Sequence, residues 1–200
     1  MGPGYRGVVL AAGGSRRFGG PQPKQLVEID GEPAVRRAAR VALAARLDGV
    51  AVVTGHAAEG VRRALGGLAV ELVHNPAWRE GQSGSVRAGL AAVAAGAAAV
   101  VFVPCDQPFL TSELIDRLIA RHAAGGAVIV APSWRGRRGA PVLIDRALFA
   151  EIDGITGDAG ARQLFGRHTV AEVGLGYEAP LLDFDDPPAL RRLLARRPSR

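Results

Sequence analysis

The chain has one cysteine and few aromatic residues, and each of these scarcities excludes a class of protein. Cys105 by itself excludes an intramolecular disulfide and a zinc site built from several cysteines. The four histidines fall at no metal-ligand spacing. Aromatic residues make up 5% of the chain. They are not interleaved with basic residues, although a protein that stacks on single-stranded nucleic acid needs that arrangement. The sequence therefore predicts no disulfide scaffold, no zinc domain and no nucleic-acid partner.

The 200 residues also lack a linker, an internal repeat and a low-complexity block. Apolar residues make up 48% of the chain and charged residues 22%, which is typical of a globular protein. We therefore predict a single domain over residues 1–200, with a basic tail at about 196–200. The formal net charge of +6 favours an anionic partner, although arginines near the C-terminus carry much of it.

An uncharged run over residues 88–105 is long enough to raise the question of a membrane span. Gly96 interrupts this run, Pro104 comes near its end, and its two halves differ in character. A helix followed by a strand is therefore the better interpretation. The N-terminus does not resemble a signal peptide. We expect a cytoplasmic protein without a membrane partner.

A loop rich in glycine and basic residues follows the first apolar run. The run at residues 8–12 stops at Gly13 and Gly14, and Arg17 and Lys24 come soon after. Glycines allow close approach to phosphate oxygens and favour positive φ, and successive backbone N–H groups form an anion-binding concavity. The spacing fits neither the Walker A loop nor the dinucleotide-binding G-x-G-x-x-G motif. The pattern indicates a triphosphate-binding loop, with an ordinary exposed basic turn as the alternative.

Strand and helix patterns alternate along the whole chain. Strands are predicted at 7–10, 50–54, 69–73, 99–103, 127–131, 140–144, 169–173 and 181–184. Helices are predicted at 34–45, 57–65, 85–95, 111–123, 146–151, 158–165 and 188–196. Continuous apolar strands separated by helices favour a mainly parallel sheet covered on both faces. The fold class is therefore α/β: a single-domain, three-layer Rossmann-like fold with a mainly parallel, mixed sheet.

Two acidic positions are candidates for a metal site. Asp106 follows the most apolar strand, and in an open α/β sheet ligands bind at the carboxyl ends of strands. Strand alternation sends Asp183 and Asp185 to one face and Phe184 to the other. A turn or capping role for Asp106 is the alternative, and Asp186 before Pro187 is expected to cap the last helix.

Several segments, taken together, resemble a known family. One segment resembles the signature loop of the nucleotidyltransferases, which are enzymes that move a nucleoside monophosphate from an NTP. This segment is Leu10-Ala11-Ala12-Gly13-x-Ser15-x-Arg17-Phe18-Gly19, followed by Pro23-Lys24. Three further blocks of the chain resemble the molybdenum cofactor cytidylyltransferase branch of these enzymes. They are Asn75-Pro76-x-Trp78-x-Glu80-Gly81-x-x-x-Ser85-Val86-Arg87, Asp106-Gln107-Pro108, and Arg138-Gly139-Ala140-Pro141 leading to Thr156-Gly157-Asp158-x-Gly160-Ala161-Arg162. The resemblance covers essentially the whole chain and implies the nucleotide-diphospho-sugar transferase type of fold.

The resemblance also implies roles for individual residues. Arg17 and Lys24 are the implied catalytic residues, and Asp106 and Asp185 the implied ligands of Mg²⁺. The implied nucleotide-binding residues are Leu10, Ala11, Ala12, Gly13, Gly14, Ser15, Arg17, Lys24, Gly81, Ser85 and Asp106. Gly139, Gly157 and Asp158 are implied to line the acceptor pocket. Because a phosphate acceptor is already anionic near neutral pH, this chemistry needs positioning and charge neutralisation but no general base.

The resemblance leaves the acceptor open. Molybdopterin, with CTP as donor, is implied by the branch, and a molybdenum hydroxylase or its chaperone would then be a downstream partner. The branch usually has His where this chain has Ala140, and the long segment 17–25 resembles the cytidylyltransferases that act on methylerythritol phosphate. A sugar- or polyol-phosphate acceptor is thus the first alternative, and a guanylyltransferase another. A non-catalytic nucleotide sensor or a cofactor chaperone is the alternative from another class.

Overall fold

The computed structural model describes residues 4–14, 18 and 22–195. Its strands are β1 (Gly4–Ala11), β2 (Glu28–Ile29), β3 (Glu32–Pro33), β4 (Val50–Thr54), β5 (Glu71–His74), β6 (Ala97–Pro104), β7 (Ile129–Trp134), β8 (Arg137–Arg138), β9 (Val142–Asp145) and β10 (Val170–Gly174). Its α-helices are α1 (Ala34–Leu43), α2 (Ala58–Ala64), α3 (Gln82–Val93), α4 (Ser112–Ala123), α5 (Phe149–Ile152) and α6 (Pro187–Ala195). Its 3₁₀ helices are Lys24–Leu26, Trp78–Glu80, Arg146–Leu148, Gly157–Gly166 and Ala179–Leu181.

The main sheet of the described residues has the strand order β10-β7-β9-β6-β1-β4-β5, with β8 paired to β7. Strands β5, β4, β1 and β6 pair in parallel, as do β7 and β10. Strand β9 runs antiparallel between β6 and β7. Strands β2 and β3 form a separate antiparallel pair. The predicted single-domain α/β fold with a mainly parallel, mixed sheet is confirmed.

Helices cover both faces of the sheet. Side chains of α1, α2 and α4 pack on one face and those of α3 and α5 on the other. Val8 and Val9 of β1 point to opposite faces because successive strand residues alternate, and both are fully buried. Helix α3 lies especially close to the sheet, since a Cβ at Gly89 would come within 2.3 Å of Val8 Cγ1. The second half of α3 therefore packs tightly against β1.

The uncharged run over residues 88–105 divides as predicted into the end of α3 and strand β6. Within the part of the chain that the structure describes, no helix is both long and apolar enough to cross a membrane. The predicted start of α4 is confirmed as well, because Thr111 Oγ1 accepts a hydrogen bond from Leu114 N at 3.3 Å. Asp186 caps α6 as expected, since its Oδ1 accepts from Ala189 N at 2.5 Å.

The C-terminal third differs from the sequence prediction in three places. The predicted strand at 181–184 is wrong: the chain forms the 3₁₀ helix Ala179–Leu181, and then Phe184 N donates to Asp106 O across the end of β6. The predicted helix at 158–165 is a 3₁₀ segment broken at Gly160, with φ 54° and ψ −144°. The segment between the predicted strands at 127–131 and 140–144 contains the short strand β8, which pairs with β7 in a hairpin. At Phe184, a hydrogen bond between distant parts of the chain decides the structure.

Candidate active site

The carboxyl ends of β1 and β6 meet at one edge of the sheet, where Leu10 is paired with Pro104. The segments that follow these strands therefore lie side by side above that edge. A cleft of about 610 Å³ opens there. It is lined by Leu10, Ala11, Ala12, Gly13, Gly14, Phe18, Lys24, Gln25, Trp78, Arg79, Gly81, Gln82, Ser85, Cys105, Asp106, Asp158 and Asp185. Most of the site residues predicted from the sequence are thus brought together.

The loop after β1 is held in place by Gln25, which also lines the cleft. This side chain is buried, and its Nε2 donates hydrogen bonds to Ala11 O at 3.1 Å and Gly13 O at 2.5 Å. These two hydrogen bonds fix the backbone of the loop beside the cleft. Gln25 is absent from the predicted site residues, although it lies directly after Lys24.

The two glycines of the loop have different reasons to be glycine. A Cβ at Gly14 would lie 2.4 Å from the Trp78 ring, whereas a Cβ at Gly13 would meet nothing within 4 Å. Packing therefore requires Gly14 but not Gly13, whose missing side chain leaves open space in the cleft. Neither residue has a positive φ, so backbone conformation does not require glycine at either position. Close approach by Trp78 is the physical reason at Gly14.

Lys24 joins the two carboxylates predicted as metal ligands. Its Nζ lies 2.8 Å from Asp106 Oδ2 and 3.1 Å from Asp185 Oδ1. The Lys24 side chain is 14% exposed, so the alternative of an exposed basic turn is wrong for this residue. Burial lowers the pKa of Lys24, but the charges and hydrogen bonds of Asp106 and Asp185 outweigh burial and raise that pKa above its ordinary value. The ammonium group therefore stays charged.

Asp185 reaches the site because Phe184 anchors the segment around it. Phe184 is fully buried, and its backbone N–H donates to Asp106 O at 3.2 Å. Its ring lies 6.0 Å from that of Phe18 in an edge-to-face arrangement, and Lys24 Nζ lies 5.2 Å from the Phe184 ring centre. With Phe184 pointing inward, Asp183 and Asp185 point outward. The predicted alternation holds although no strand forms.

The donor set at this position fits a divalent cation. Asp106 and Asp185 together bind one cationic group, the Lys24 ammonium, so their oxygens converge on a position that attracts positive charge. Among residues 4–14, 18 and 22–195, no group of three or more His, Cys, Asp or Glu side chains is arranged to hold a metal ion. Mg²⁺ is commonly held by one or two carboxylates, with phosphates and water completing its shell. Two carboxylates in a nucleotide-sized cleft meet that requirement.

The N-terminus of α3 forms another wall of the cleft. Gly81 has φ 111°, and a Cβ there would come within 2.7 Å of the Gly157 carbonyl group and 2.9 Å of Asp158 Oδ1. Only glycine lets residues 157 and 158 approach the helix start so closely. Ser85, one turn later, is buried, and its Oγ accepts from Asn75 Nδ2 at 3.1 Å. The partial positive charge of a helix N-terminus favours anions at this wall.

The remaining predicted site residues lie elsewhere. Gly139 lines a smaller cavity of about 120 Å³, whose other lining residues include Arg162 and Asp183. Gly157 contacts Gly81 but does not line the large cleft. Ser15 and Arg17 lie outside the described residues.

Trp78 is a site residue that sequence reasoning did not assign. Its ring contacts His56 edge-to-face at 4.9 Å, and the Arg79 guanidinium lies 4.4 Å from the ring centre. The ring also packs against Gly14, so it links the loop after β1 to the segment before α3. The only signal in the sequence was its place in the Asn75-Pro76-x-Trp78 block.

Comparison with known proteins shows the family. The model of the MobA-like NTP transferase domain matches residues 7–173. The bifunctional protein GlmU of Kineococcus radiotolerans is 34% identical over 186 residues, which are 86% of this chain and 35% of that protein. The chain thus spans about a third of the length of this relative. The purine catabolism protein PucB of Bacillus subtilis is 32% identical, over 79% of this chain and 78% of that protein.

A solved structure agrees over nearly the whole fold. Rv0371c from Mycobacterium tuberculosis, in complex with manganese, superposes with a TM-score of 0.81 at 29% identity, and the match covers 97% of this chain and 100% of that one. The segment that the family model matches includes the loop after β1 and the residues around Asp106. The chain belongs to the family of MobA-like NTP transferase domains.

Proposed function

We propose that the protein is a nucleotidyltransferase that moves a nucleoside monophosphate from CTP to the terminal phosphate of molybdopterin and releases pyrophosphate. One observation carries the proposal: Lys24 Nζ bridges Asp106 and Asp185 in the cleft formed at the ends of β1 and β6. A cation between two carboxylates, next to a glycine loop and a helix N-terminus, suits a polyphosphate with its metal ion.

The chain's own residues have separate tasks in this reaction. The main chain at Ala12, Gly13 and Gly14 binds the triphosphate, and Lys24 neutralises its negative charge. We assign a second neutralising charge to Arg17. Gly81 and Ser85 contact the base and ribose. A divalent cation held by Asp106 and Asp185 supplies additional charge neutralisation at the phosphates when it is bound.

Transfer needs an in-line attack and no general base. An oxygen of the acceptor phosphate forms a bond to the α-phosphorus, and the bond from that phosphorus to the oxygen bridging to the β-phosphate breaks. The electron pair leaves with pyrophosphate. A phosphate monoester is already largely ionised at pH 7, so no proton has to be removed from the nucleophile. Gly139, Gly157 and Asp158 are proposed to border the acceptor, and Cys105 takes no part.

The choice of substrates rests on motifs. Ala11-Ala12 favours a cytidylyl donor, and the blocks at residues 75–90, 106–108 and 138–143 with 156–162 favour molybdopterin, apart from Ala140, where that branch usually has His. The relatives do not decide between acceptors, because they include GlmU and a purine catabolism protein. A sugar- or polyol-phosphate acceptor uses the same chemistry at the same carboxylates. The two candidates are therefore separated by substrate tests.

Pyrophosphate release with purified protein tests the proposal. Each of CTP, GTP, ATP and UTP is combined with molybdopterin, methylerythritol phosphate or a sugar 1-phosphate, with Mg²⁺ or Mn²⁺ present. We expect release with CTP and molybdopterin, and none when EDTA is added. Turnover of methylerythritol phosphate or a sugar phosphate without turnover of molybdopterin overturns the acceptor. Binding of CTP without pyrophosphate release from any mixture favours a non-catalytic sensor instead.

A further inference from the structure

A second cavity lies beside the main cleft. It has a volume of about 120 Å³ and is lined by Trp134, Arg137, Arg138, Gly139, Arg162, Glu178, Leu181, Leu182 and Asp183. Asp183 lines this cavity, and Asp185, two residues later in the chain, lines the main cleft. The wall of this cavity therefore adjoins the carboxylates of the cleft. A molecule seated in the cavity would adjoin the site where we propose that phosphoryl chemistry occurs.

The arginines of this cavity differ in their partners. Arg137 Nη1 lies 2.9 Å from Glu178 Oε1, and Arg138 Nε lies 2.6 Å from Glu172 Oε1. Within the described part of the chain, Arg162 has neither an ion pair nor a side-chain hydrogen bond, although it lines the cavity together with Asp183. Two guanidinium groups are thus paired with carboxylates of the protein at its surface. The third is available to a ligand.

The backbone before Arg162 is in a conformation that only glycine adopts readily. Gly160 has φ 54° and ψ −144°, and a Cβ there would lie 2.5 Å from Gln82 Oε1. Gln82 lines the main cleft, so its contact with Gly160 places the backbone two residues before Arg162 beside that cleft.

We propose that Arg162 binds the phosphate group of the acceptor and holds it beside the main cleft. This inference rests on the proposed nucleotidyl transfer and adds the residue that recognises the second substrate. A guanidinium group can donate two parallel hydrogen bonds to phosphate oxygens, which fixes the orientation of the phosphate as well as binding it. Its positive charge also offsets the repulsion that Asp183 exerts on an anionic acceptor. The ligand class is a phosphate monoester.

Three variants of the full chain test this role. Arg162→Met removes the charge and Arg162→Lys keeps the charge without the forked donor. The matched control Arg167→Met changes an exposed arginine of the same region, whose Nη1 lies 4.0 Å from Glu151 Oε2 and which lines neither cavity. Melting temperatures show whether each variant folds. Steady-state kinetics give kcat and the KM for the acceptor, and calorimetry gives the affinity for CTP.

We expect Arg162→Met to raise the acceptor KM by about 10- to 100-fold, the loss typical of a charged hydrogen bond. Arg162→Lys should give a smaller rise, and CTP affinity should stay within about twofold of wild type in both variants. Arg167→Met should behave as wild type. An unchanged acceptor KM in Arg162→Met, or an equal loss of CTP affinity, overturns the inference.

The inference and the proposed function fail in different ways. If the wild type uses a phosphorylated acceptor other than molybdopterin, the substrate proposal is wrong, and the same KM ratio measured with that acceptor still tests Arg162. If molybdopterin is turned over equally well by wild type and Arg162→Met, the role of Arg162 is wrong and the substrate proposal stands. A wild type that neither binds nor turns over a phosphorylated acceptor overturns both.

Discussion

Lys24 Nζ lies 2.8 Å from Asp106 Oδ2, and this ion pair occupies the position that we assign to a metal ion and the nucleotide phosphates. The same nitrogen lies 3.1 Å from Asp185 Oδ1. One ammonium group thus neutralises two carboxylates that come from distant parts of the chain. If a divalent cation binds these carboxylates, it competes with Lys24 for them and leaves the ammonium group for the triphosphate.

Replacing Lys24 should therefore have opposite effects on the two ligands. In Lys24→Met we expect CTP affinity to fall by about 10-fold or more, because a charged hydrogen bond to phosphate is lost. Affinity for Mn²⁺ without nucleotide should rise, because the competing ammonium group is gone. Calorimetric titrations with CTP and with Mn²⁺ measure both effects. Equal CTP affinity, or weaker binding of Mn²⁺, would contradict this interpretation.

Asp106→Asn should remove most of the activity without unfolding the protein. The amide keeps the shape of the side chain but loses the charge that binds a cation, so we expect kcat to fall by at least about 100-fold and Mn²⁺ binding to weaken. Asp116→Asn is the control, since Asp116 pairs with Arg46 and neither residue lines the cleft. Turnover and circular dichroism are the measurements. If Asp106→Asn keeps full turnover, Asp106 is not a metal ligand.

The sequence was sufficient to predict the part of the site that depends on local pattern. The run of β-branched and small residues at 50–54 forms β4, and Gly13 and Asp106 lie at the same edge of the sheet, as the rule that ligands bind at the carboxyl ends of strands predicts. Both of these predictions follow from patterns of residues that are adjacent in the chain. The position of Asp185 was predicted through the resemblance, but the strand expected to carry it does not form.

The rest of the site depends on tertiary packing that no local pattern encodes. Phe184 brings Asp185 to the cleft through burial against Phe18 and a backbone hydrogen bond to Asp106. Trp78 enters the site because Gly14 has no side chain to exclude it. In each case the decisive contact joins residues far apart in sequence, and it becomes visible only when the fold brings them together.

Alanine at the two loop glycines should separate packing from ligand binding. Gly14→Ala places a methyl group against the Trp78 ring, so we expect a loss of about 1–3 kcal/mol in unfolding free energy. Gly13→Ala meets no protein atom within 4 Å, so its stability should equal or slightly exceed that of the wild type. Its CTP affinity should nevertheless fall, because the methyl group enters the cleft. Urea unfolding and calorimetry give the two quantities; unchanged CTP affinity in Gly13→Ala would exclude contact between this loop and the nucleotide.

Gln25→Met tests whether the hydrogen bonds of Gln25 hold the same loop in place. The variant keeps the length of the side chain but leaves the carbonyls of Ala11 and Gly13 without the donor that binds them. An unpaired buried polar group costs about 1–3 kcal/mol, so the unfolding free energy in urea should fall by that amount. Gln22→Met is the control, because Gln22 is exposed and its loss should change stability by less than about 0.5 kcal/mol. Equal stability of both variants would show that the hydrogen bonds of Gln25 do not hold the loop.

Cys105 lies next to Asp106 in the cleft, yet its chemistry should be inert. Burial, followed by the negative charge of Asp106, raises the pKa of the Cys105 thiol to about 12. The thiolate is the reactive form, so alkylation by iodoacetamide at pH 8 should be roughly 1,000-fold slower in the folded protein than in urea.

The same raised pKa makes stability depend on pH. Since the thiol of the unfolded chain loses its proton at a lower pH than that of the folded protein, the free energy of unfolding should fall as pH rises above about 8.5. Cys105→Ala should remove this part of the alkaline loss and keep turnover, because transfer to an anionic phosphate needs no thiol nucleophile. Rapid alkylation of the folded protein, or loss of turnover by a stably folded Cys105→Ala, would give this residue a chemical role.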